Sequence, residues 1–213
     1  MRLPWVRSSA PSAADAPSAP SGAQPCPTLG HALEALFRQK AKPEILDLGP
    51  LCGESLVYLA DRGARVAVEA FDPPPPPVAD EAAAAAEPLR IDQPDARFDL
   101  VLVWEQFDFV DDTRVEAFTA ELRRLLAPGG RLLLIAMNSI PTAPVTSGRP
   151  ARYRVTADDQ VCREELPVAT RARWCRPTRD IERALAPLAV EKLHLHRNQL
   201  REFLAIRPLP KKA

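Results

Sequence analysis

The sequence predicts an α/β fold with a doubly wound, mostly parallel sheet, and three stretches carry that prediction. Residues 44–72 read as strand, glycine-bearing turn, helix and second strand, which together form a βαβ unit. Residues 98–104 and 131–137 are apolar almost throughout, as strands covered on both faces should be. Because helical spacing alternates with these strands, we expect parallel pairing with helices on both faces of the sheet.

The βαβ unit sets the order of the first elements. We predict a strand at 44–48, a helix at 54–62 and a second strand at 64–71. Gly63 should end the helix, because a residue without Cβ adopts positive φ readily. Asp72 follows the second strand directly.

The turn between the first strand and the helix has the residues of a ligand-binding loop. Gly49 lacks a Cβ, so a ligand can approach its backbone closely. Amides near Gly53 offer hydrogen bonds and the positive end of the helix dipole to a carboxylate or phosphate. The spacing is G-x-x-x-G rather than G-x-G-x-x-G, which disfavours a nicotinamide-binding oxidoreductase.

The stretch ILDLGPLCG resembles motif I of the class I S-adenosylmethionine-dependent methyltransferases, D/E-x-G-x-G-x-G. Asp47, Gly49 and Gly53 match that motif, and Leu51 stands where the middle glycine would be. The run LLAPGGRLLLIA is similar to the family's motif at its fifth strand. The resemblance covers residues 28–208 and extends to a group of uncharacterised bacterial methyltransferase-like proteins without a known substrate.

This resemblance implies a Rossmann-like sheet of seven strands whose C-terminal pair is antiparallel. It also implies that S-adenosylmethionine is the cofactor. The residues implied in cofactor binding are Asp47, Gly49, Pro50, Leu51, Gly53, Glu69, Ala70, Asp72, Asp92 and Trp104.

The acid that would bind the ribose is a choice between two residues. The family's usual position falls on Ala70, with Glu69 just before it and Asp72 two residues later. We choose Glu69, and the alternative is that both acids are ordinary surface residues. Asp92 lies where the family often places an acid near the adenine amino group.

The catalytic hypothesis rests on the residues after the fourth strand. Methyl transfer from a sulfonium depends mainly on positioning, and a base is needed only when the acceptor is protonated. Trp104 would line the space around the methyl group or the acceptor, and Glu105 would be the general base. The alternative is that Trp104 caps the core and Glu105 is solvated.

Four arginines allow two interpretations. They either meet an anionic acceptor or form a solvated surface, and they are Arg171, Arg173, Arg176 and Arg179.

The remaining elements follow from periodicity and turn signals. Residues 1–27, rich in Ala, Ser and Pro, are expected to be a disordered tail before a single domain at 28–213. We predict helices from Thr28, at 82–86, after a cap at Asp111 or Asp112, and at 178–186 capped by Thr178. Further predictions are a third strand at 89–92, a turn at 127–130, a hairpin within 151–165, and strands at 189–196 and 200–206.

Composition excludes several classes of function. The 28 basic and 28 acidic residues balance, so nothing favours binding to nucleic acid or to a membrane. The four cysteines and three histidines have no metal-ligand spacing, and no apolar run is long enough to span a bilayer. We expect a cytoplasmic protein with free thiols and no metal.

The leading hypothesis is therefore S-adenosylmethionine-dependent methylation of a small-molecule acceptor. The alternative is a non-catalytic relative that keeps the fold for binding or assembly. The sequence leaves the acceptor and the oligomeric state open.

Overall fold

The computed structural model describes residues 22–73, 89–138 and 143–210. In chain order the elements are β1 (Gln24–Pro25), α1 (Pro27–Gln39), β2 (Glu44–Asp47), α2 (Gly53–Asp61), β3 (Arg65–Val68), β4 (Phe98–Val103), a 3₁₀ turn (Gln106–Phe109), α3 (Val115–Leu125), β5 (Leu126–Met137), β6 (Val145–Gly148), β7 (Ala151–Ala157), β8 (Gln160–Glu165), β9 (Arg171–Trp174), α4 (Thr178–Leu185), β10 (Ala189–Leu195) and β11 (Leu200–Ile206).

Six strands form the central sheet, in the order β10-β11-β5-β4-β2-β3. The pairs β2–β3, β2–β4 and β4–β5 are parallel, whereas β5–β11 and β10–β11 are antiparallel. The predicted α/β class and the antiparallel C-terminal pair are thus confirmed.

The prediction of a seventh strand at residues 89–92 is wrong, because this stretch has no strand neighbour among the described residues. Side chains of α3 bind its backbone instead. The Ile91 amide donates to Glu121 Oε1 at 2.7 Å, and Arg124 donates to the carbonyl oxygens of Ile91 and Gln93 at 2.9 and 2.8 Å. Since backbone groups that leave water need partners, these two side chains replace the missing ladder.

Two apolar cores lie on opposite faces of the sheet. One core joins the sheet to α3 and α4, and the other joins it to α1, α2 and the β7–β8 hairpin. Successive β4 residues alternate between the cores: Leu100 and Leu102 belong to one, Val101 and Val103 to the other. This two-sided burial explains the continuous apolar run of β4.

The chain between β5 and α4 forms an insertion of two antiparallel units. The β7–β8 hairpin was predicted within 151–165 and is confirmed. Strands β6 and β9 pair separately as a second antiparallel ribbon. We call residues 143–176 the insertion; its two units lie beside the carboxyl ends of the parallel strands.

The predicted boundary of the N-terminal tail differs from the structure. Gln24 and Pro25 pair with β8, and Cys26 is completely buried while its amide donates to Asp159 O at 2.6 Å. These residues belong to the folded part, since the long-range pairing buries them. The earlier part of the tail and the predicted helix at 82–86 lie outside the described residues.

Three local predictions need correction. The stretch 127–130 is part of β5 rather than a separate turn, although Gly129 has φ of +79°. Asp111 binds the Thr113 amide at 2.9 Å in a turn before α3, whose side-chain cap is absent. Thr178 is the first residue of α4, and its Oγ1 accepts from Arg201 at 2.8 Å instead of capping the helix.

Gly63, with φ of +95°, does end α2 as predicted.

Within the described ranges, none of the helices is both long enough and apolar enough to cross a lipid bilayer.

We expect Glu121→Ala to lower the free energy of unfolding by about 1.5–3 kcal/mol, because the Ile91 amide and Arg124 lose a charged acceptor. Glu116→Ala on the same helix is the matched control; its side chain is exposed, so the loss should stay below about 1 kcal/mol. Urea denaturation of both variants measures this difference. Equal losses would mean that Glu121 does not stabilise the 89–92 segment.

Candidate functional site

A cavity of about 400 Å³ lies at the carboxyl ends of β2, β3 and β4. Ligands of open α/β sheets bind at this edge. The sheet side of the wall consists of Pro50, Ala70, Phe71, Asp72, Pro73, Glu105, Gln106 and Phe109. The insertion supplies the opposite wall with Pro150, Ala151, Leu166, Val168, Ala169 and Arg171. The cavity therefore brings together Pro50, Ala70, Asp72 and Glu105 from the predicted site residues.

Gly49 makes room for a side chain of the protein rather than for a ligand. A Cβ at Gly49 would lie 2.6 Å from Cδ1 and 2.8 Å from Nε1 of Trp104. The Trp104 indole is buried and stacks on the Tyr153 ring, with centroids 4.8 Å apart. Trp104 does not line the cavity, so its expected contact with a ligand is replaced by packing between Gly49 and the insertion.

Asp47 supports the glycine turn from beneath. Its Oδ1 accepts from the Gly49 amide and from Trp104 Nε1, both at 2.8 Å. Burial raises the pKa of Asp47 to about 6, while the two hydrogen bonds oppose that rise. Asp47 thus fixes the turn and the indole together, and its part in a cofactor site is indirect.

Gly53, in contrast, leaves open space at the start of α2. A Cβ built on it would have no heavy atom within 4 Å. The first amides of a helix have no partner within the helix, so this end can receive a carboxylate. Leu51 is 61% exposed and does not line the cavity, so the replacement of the middle glycine leaves the cavity free.

The two acids after β3 have different surroundings. The Glu69 amide donates to Asp47 O at 2.9 Å, which places Glu69 directly after the last pair of the β2–β3 ladder. Its carboxylate accepts from Gln93 Nε2 at 3.5 Å. Asp72 lies at the cavity rim, where Arg171 binds its carboxylate and the Pro73 carbonyl. Asp92 is exposed and is not among the cavity residues.

Glu105 is buried at 2% exposure and holds the insertion on the sheet. Its Oε1 accepts from Tyr153 Oη and from Arg163 Nε, both at 2.5 Å. Its Oε2 accepts from Arg163 Nη2 at 3.1 Å and from Arg173. Burial alone would raise the pKa of Glu105, but the guanidinium groups of Arg173 and Arg163 hold it below its ordinary value. Glu105 is therefore an ionised anchor with both oxygens engaged.

The four arginines divide between internal contacts and solvent. Arg173 binds Glu105, Arg171 binds the loop after β3, and Arg176 donates to Val110 O at 2.6 Å and to Asp112. Only Arg179 among these four has a largely solvated side chain, with 86% exposure. Three of the four arginines hold the insertion against the sheet, so the solvated interpretation applies to Arg179 alone, whereas contact with an anionic acceptor stays a prediction for Arg171, which lines the cavity.

Several residues of the site escaped the sequence prediction. They are Phe71, Gln106, Phe109 and the partners of Glu105 in the insertion, Tyr153 and Arg163. Gln106 carried a usable signal, since it is a polar residue within three positions of the end of a buried strand. The insertion partners carried none, because no local pattern relates them to β4.

Comparison with family models finds a match to the methyltransferase domain over residues 25–176. The chain belongs to this methyltransferase family, as the sequence motifs predicted. The family assignment also confirms the predicted cofactor, S-adenosylmethionine. A comparison with curated proteins finds no match.

Solved structures share the fold at low identity. A SAM-dependent methyltransferase from Methanosarcina mazei superposes with a TM-score of 0.55 at 15% identity, covering 80% of this chain and 95% of that one. The 1,6-didemethyltoxoflavin-N1-methyltransferase of Burkholderia thailandensis, with 1,6-didemethyltoxoflavin and S-adenosylhomocysteine bound, gives a TM-score of 0.49 at 18% identity. That alignment covers 84% of this chain and 78% of the other.

We expect the stability of the wild type to fall relative to Asp47→Asn as the pH rises from about 4 to about 6. The raised pKa means that the folded state binds a proton that the unfolded state, with an ordinary aspartate pKa of about 3.9, has released. The asparagine keeps an oxygen acceptor for Gly49 and Trp104 and does not titrate. The change should be on the order of 3 kcal/mol and complete above pH 6 or so. Denaturant titrations at each pH measure it, and a constant difference would contradict it.

Proposed function

We propose that this chain transfers the methyl group of S-adenosylmethionine to a small-molecule acceptor. The observation that carries the proposal is the cavity at the carboxyl ends of β2, β3 and β4, which Pro50 joins to the turn that leads to the open helix start at Gly53. Both lie where the family match and the sheet topology lead one to expect the cofactor.

The residues of this edge fit the parts of the cofactor. The amides at the start of α2 would receive the methionyl carboxylate, and Glu69 would accept the ribose hydroxyls. Apolar walls from Phe71 and Phe109 suit the adenosyl moiety. When bound, the cofactor supplies a methyl group already activated on a sulfonium, so the protein needs chiefly to position the acceptor and exclude water.

The cover that the insertion gives to one side of the cavity supports a small acceptor. About 400 Å³ is at the lower end of the volumes that hold small ligands, and the insertion covers one side. The balanced net charge likewise gives no electrostatic reason to bind nucleic acid.

Glu105 as general base stays a prediction, and its contacts argue against it. A base needs a free lone pair facing the acceptor and a pKa near the working pH. Both Glu105 oxygens already accept hydrogen bonds, and its pKa is lowered. We therefore favour an acceptor whose reactive atom needs no strong base.

We expect Gly53→Val to abolish or greatly weaken binding of S-adenosylhomocysteine while the domain stays folded. A Cβ at this position has no protein atom within 4 Å outside its own helix and its chain neighbours, so the valine should fill space at the helix start that the ligand would use. Isothermal titration calorimetry measures the affinity, and circular dichroism checks the fold.

Ala60→Val is the matched control for that variant. It adds bulk with the same branching to an exposed position of α2, away from the cavity. Unchanged affinity in Gly53→Val would show that the ligand lies elsewhere. If the wild type itself does not bind S-adenosylhomocysteine, the non-catalytic alternative becomes the better reading.

We expect Glu69→Ala to weaken S-adenosylhomocysteine binding about ten- to a hundredfold, because a charged acceptor of two hydroxyl groups is lost. Asp72→Ala should have a small effect, since the Asp72 side chain is 78% exposed and already pairs with Arg171. The same calorimetric titration compares the two variants. A large loss in Asp72→Ala and a small one in Glu69→Ala would assign the ribose to Asp72.

A further inference from the structure

Gln106 lines the cavity and carries a buried acceptor atom without a partner. The residue begins the 3₁₀ turn three positions after β4, lines the cavity and is 8% exposed. Its Nε2 donates to Leu48 O at 3.2 Å. Its Oε1 is buried and has no hydrogen-bond partner among the residues that the structure describes. Buried polar atoms are nearly always paired, so this oxygen points to a ligand atom that completes it.

The contact with Leu48 fixes which amide atom is left over. Exchanging oxygen and nitrogen would set the Gln106 oxygen against the Leu48 carbonyl oxygen, and two acceptors repel. The free atom is therefore an acceptor, and its partner must carry an N–H or O–H group. The Leu48 carbonyl also accepts from the Phe71 amide at 3.1 Å, so it keeps a partner if Gln106 changes.

The position of Gln106 identifies the donor. Leu48 is the residue at which β2 leads into the glycine turn, and Gly53 at the far end of the same turn opens α2. The helix start suits a carboxylate, and the Gln106 oxygen suits a cation with hydrogens to donate. An α-amino acid carries its carboxylate and its ammonium group on one carbon. Residues around one short turn can therefore bind the two groups together.

We infer that Gln106 Oε1 binds the ammonium group of the cofactor's methionyl part and so makes the site selective for its amino-acid end. This inference rests on the proposed function. Gln106 is thereby a binding residue for the zwitterion, whereas neighbouring Glu105 is occupied by Tyr153, Arg163 and Arg173 and cannot serve.

The test compares two ligands on two proteins by calorimetry. The ligands are S-adenosylhomocysteine and its deamino analogue, 5′-S-(3-carboxypropyl)-5′-thioadenosine, which keeps the carboxylate and lacks only the amino group. Gln106→Met has nearly the same volume and no amide. We expect it to weaken S-adenosylhomocysteine binding by about tenfold or more and to leave the analogue within about twofold.

Gln39→Met is the matched control, because Gln39 is exposed at the end of α1 and does not line the cavity. It should change neither affinity. Thermal unfolding shows whether Gln106→Met is folded, and Gln106→Leu provides a second apolar variant if it is not.

Two results would overturn the inference. Equal weakening of both ligands by Gln106→Met would mean that Gln106 only shapes the cavity, and no weakening of either would mean that its oxygen meets no ligand donor. Failure of the proposed function looks different, since the wild type would then bind neither ligand.

Discussion

The site depends on one buried carboxylate, Glu105. This side chain stands at the end of β4 and accepts hydrogen bonds from three residues of the insertion: Tyr153, Arg163 and Arg173. The two guanidinium groups compensate the negative charge of Glu105. Removing the Glu105 carboxylate would leave these cations buried without their anionic partner. The cavity exists because this cluster holds the insertion against the sheet. The cavity is thus built around a carboxylate whose two oxygens already accept hydrogen bonds from the protein.

The architecture could be predicted from the sequence where local pattern decides it. The apolar run of β4, the glycine turn and the helical spacing of α1 all led to the right elements. The error at residues 89–92 has a physical cause, since Glu121 and Arg124 bind that backbone and their approach depends on tertiary packing. The pairing of Gln24 with Val161 is likewise a contact between distant segments, and no local signal announces it.

The site was predictable in its location more than in its contacts. Strand ends and the Gly49–Gly53 turn follow from motif and topology, and the cavity lies there. Yet the Gly49 position accommodates an indole rather than a ligand, and Trp104 is withdrawn from the cavity. Sequence spacing says which residues follow a strand. Which of these residues face a ligand, and which contact other parts of the protein, depends on the insertion. The side chains of the insertion that bind Glu105 lie 48 to 68 positions further along the chain.

The two edges of the insertion are attached with very different strength. Near Glu105 the insertion makes several buried hydrogen bonds to the sheet. At the rim, Arg171 pairs with the carboxylate of Asp72, which is exposed to water, and an exposed ion pair contributes little to stability. The insertion therefore has a buried, multiply bonded side at Glu105 and a side at Arg171 whose ion pair is exposed to water. Loss of the contacts of Arg171 with Asp72 and Pro73 would therefore leave the hydrogen bonds of the Glu105 cluster in place.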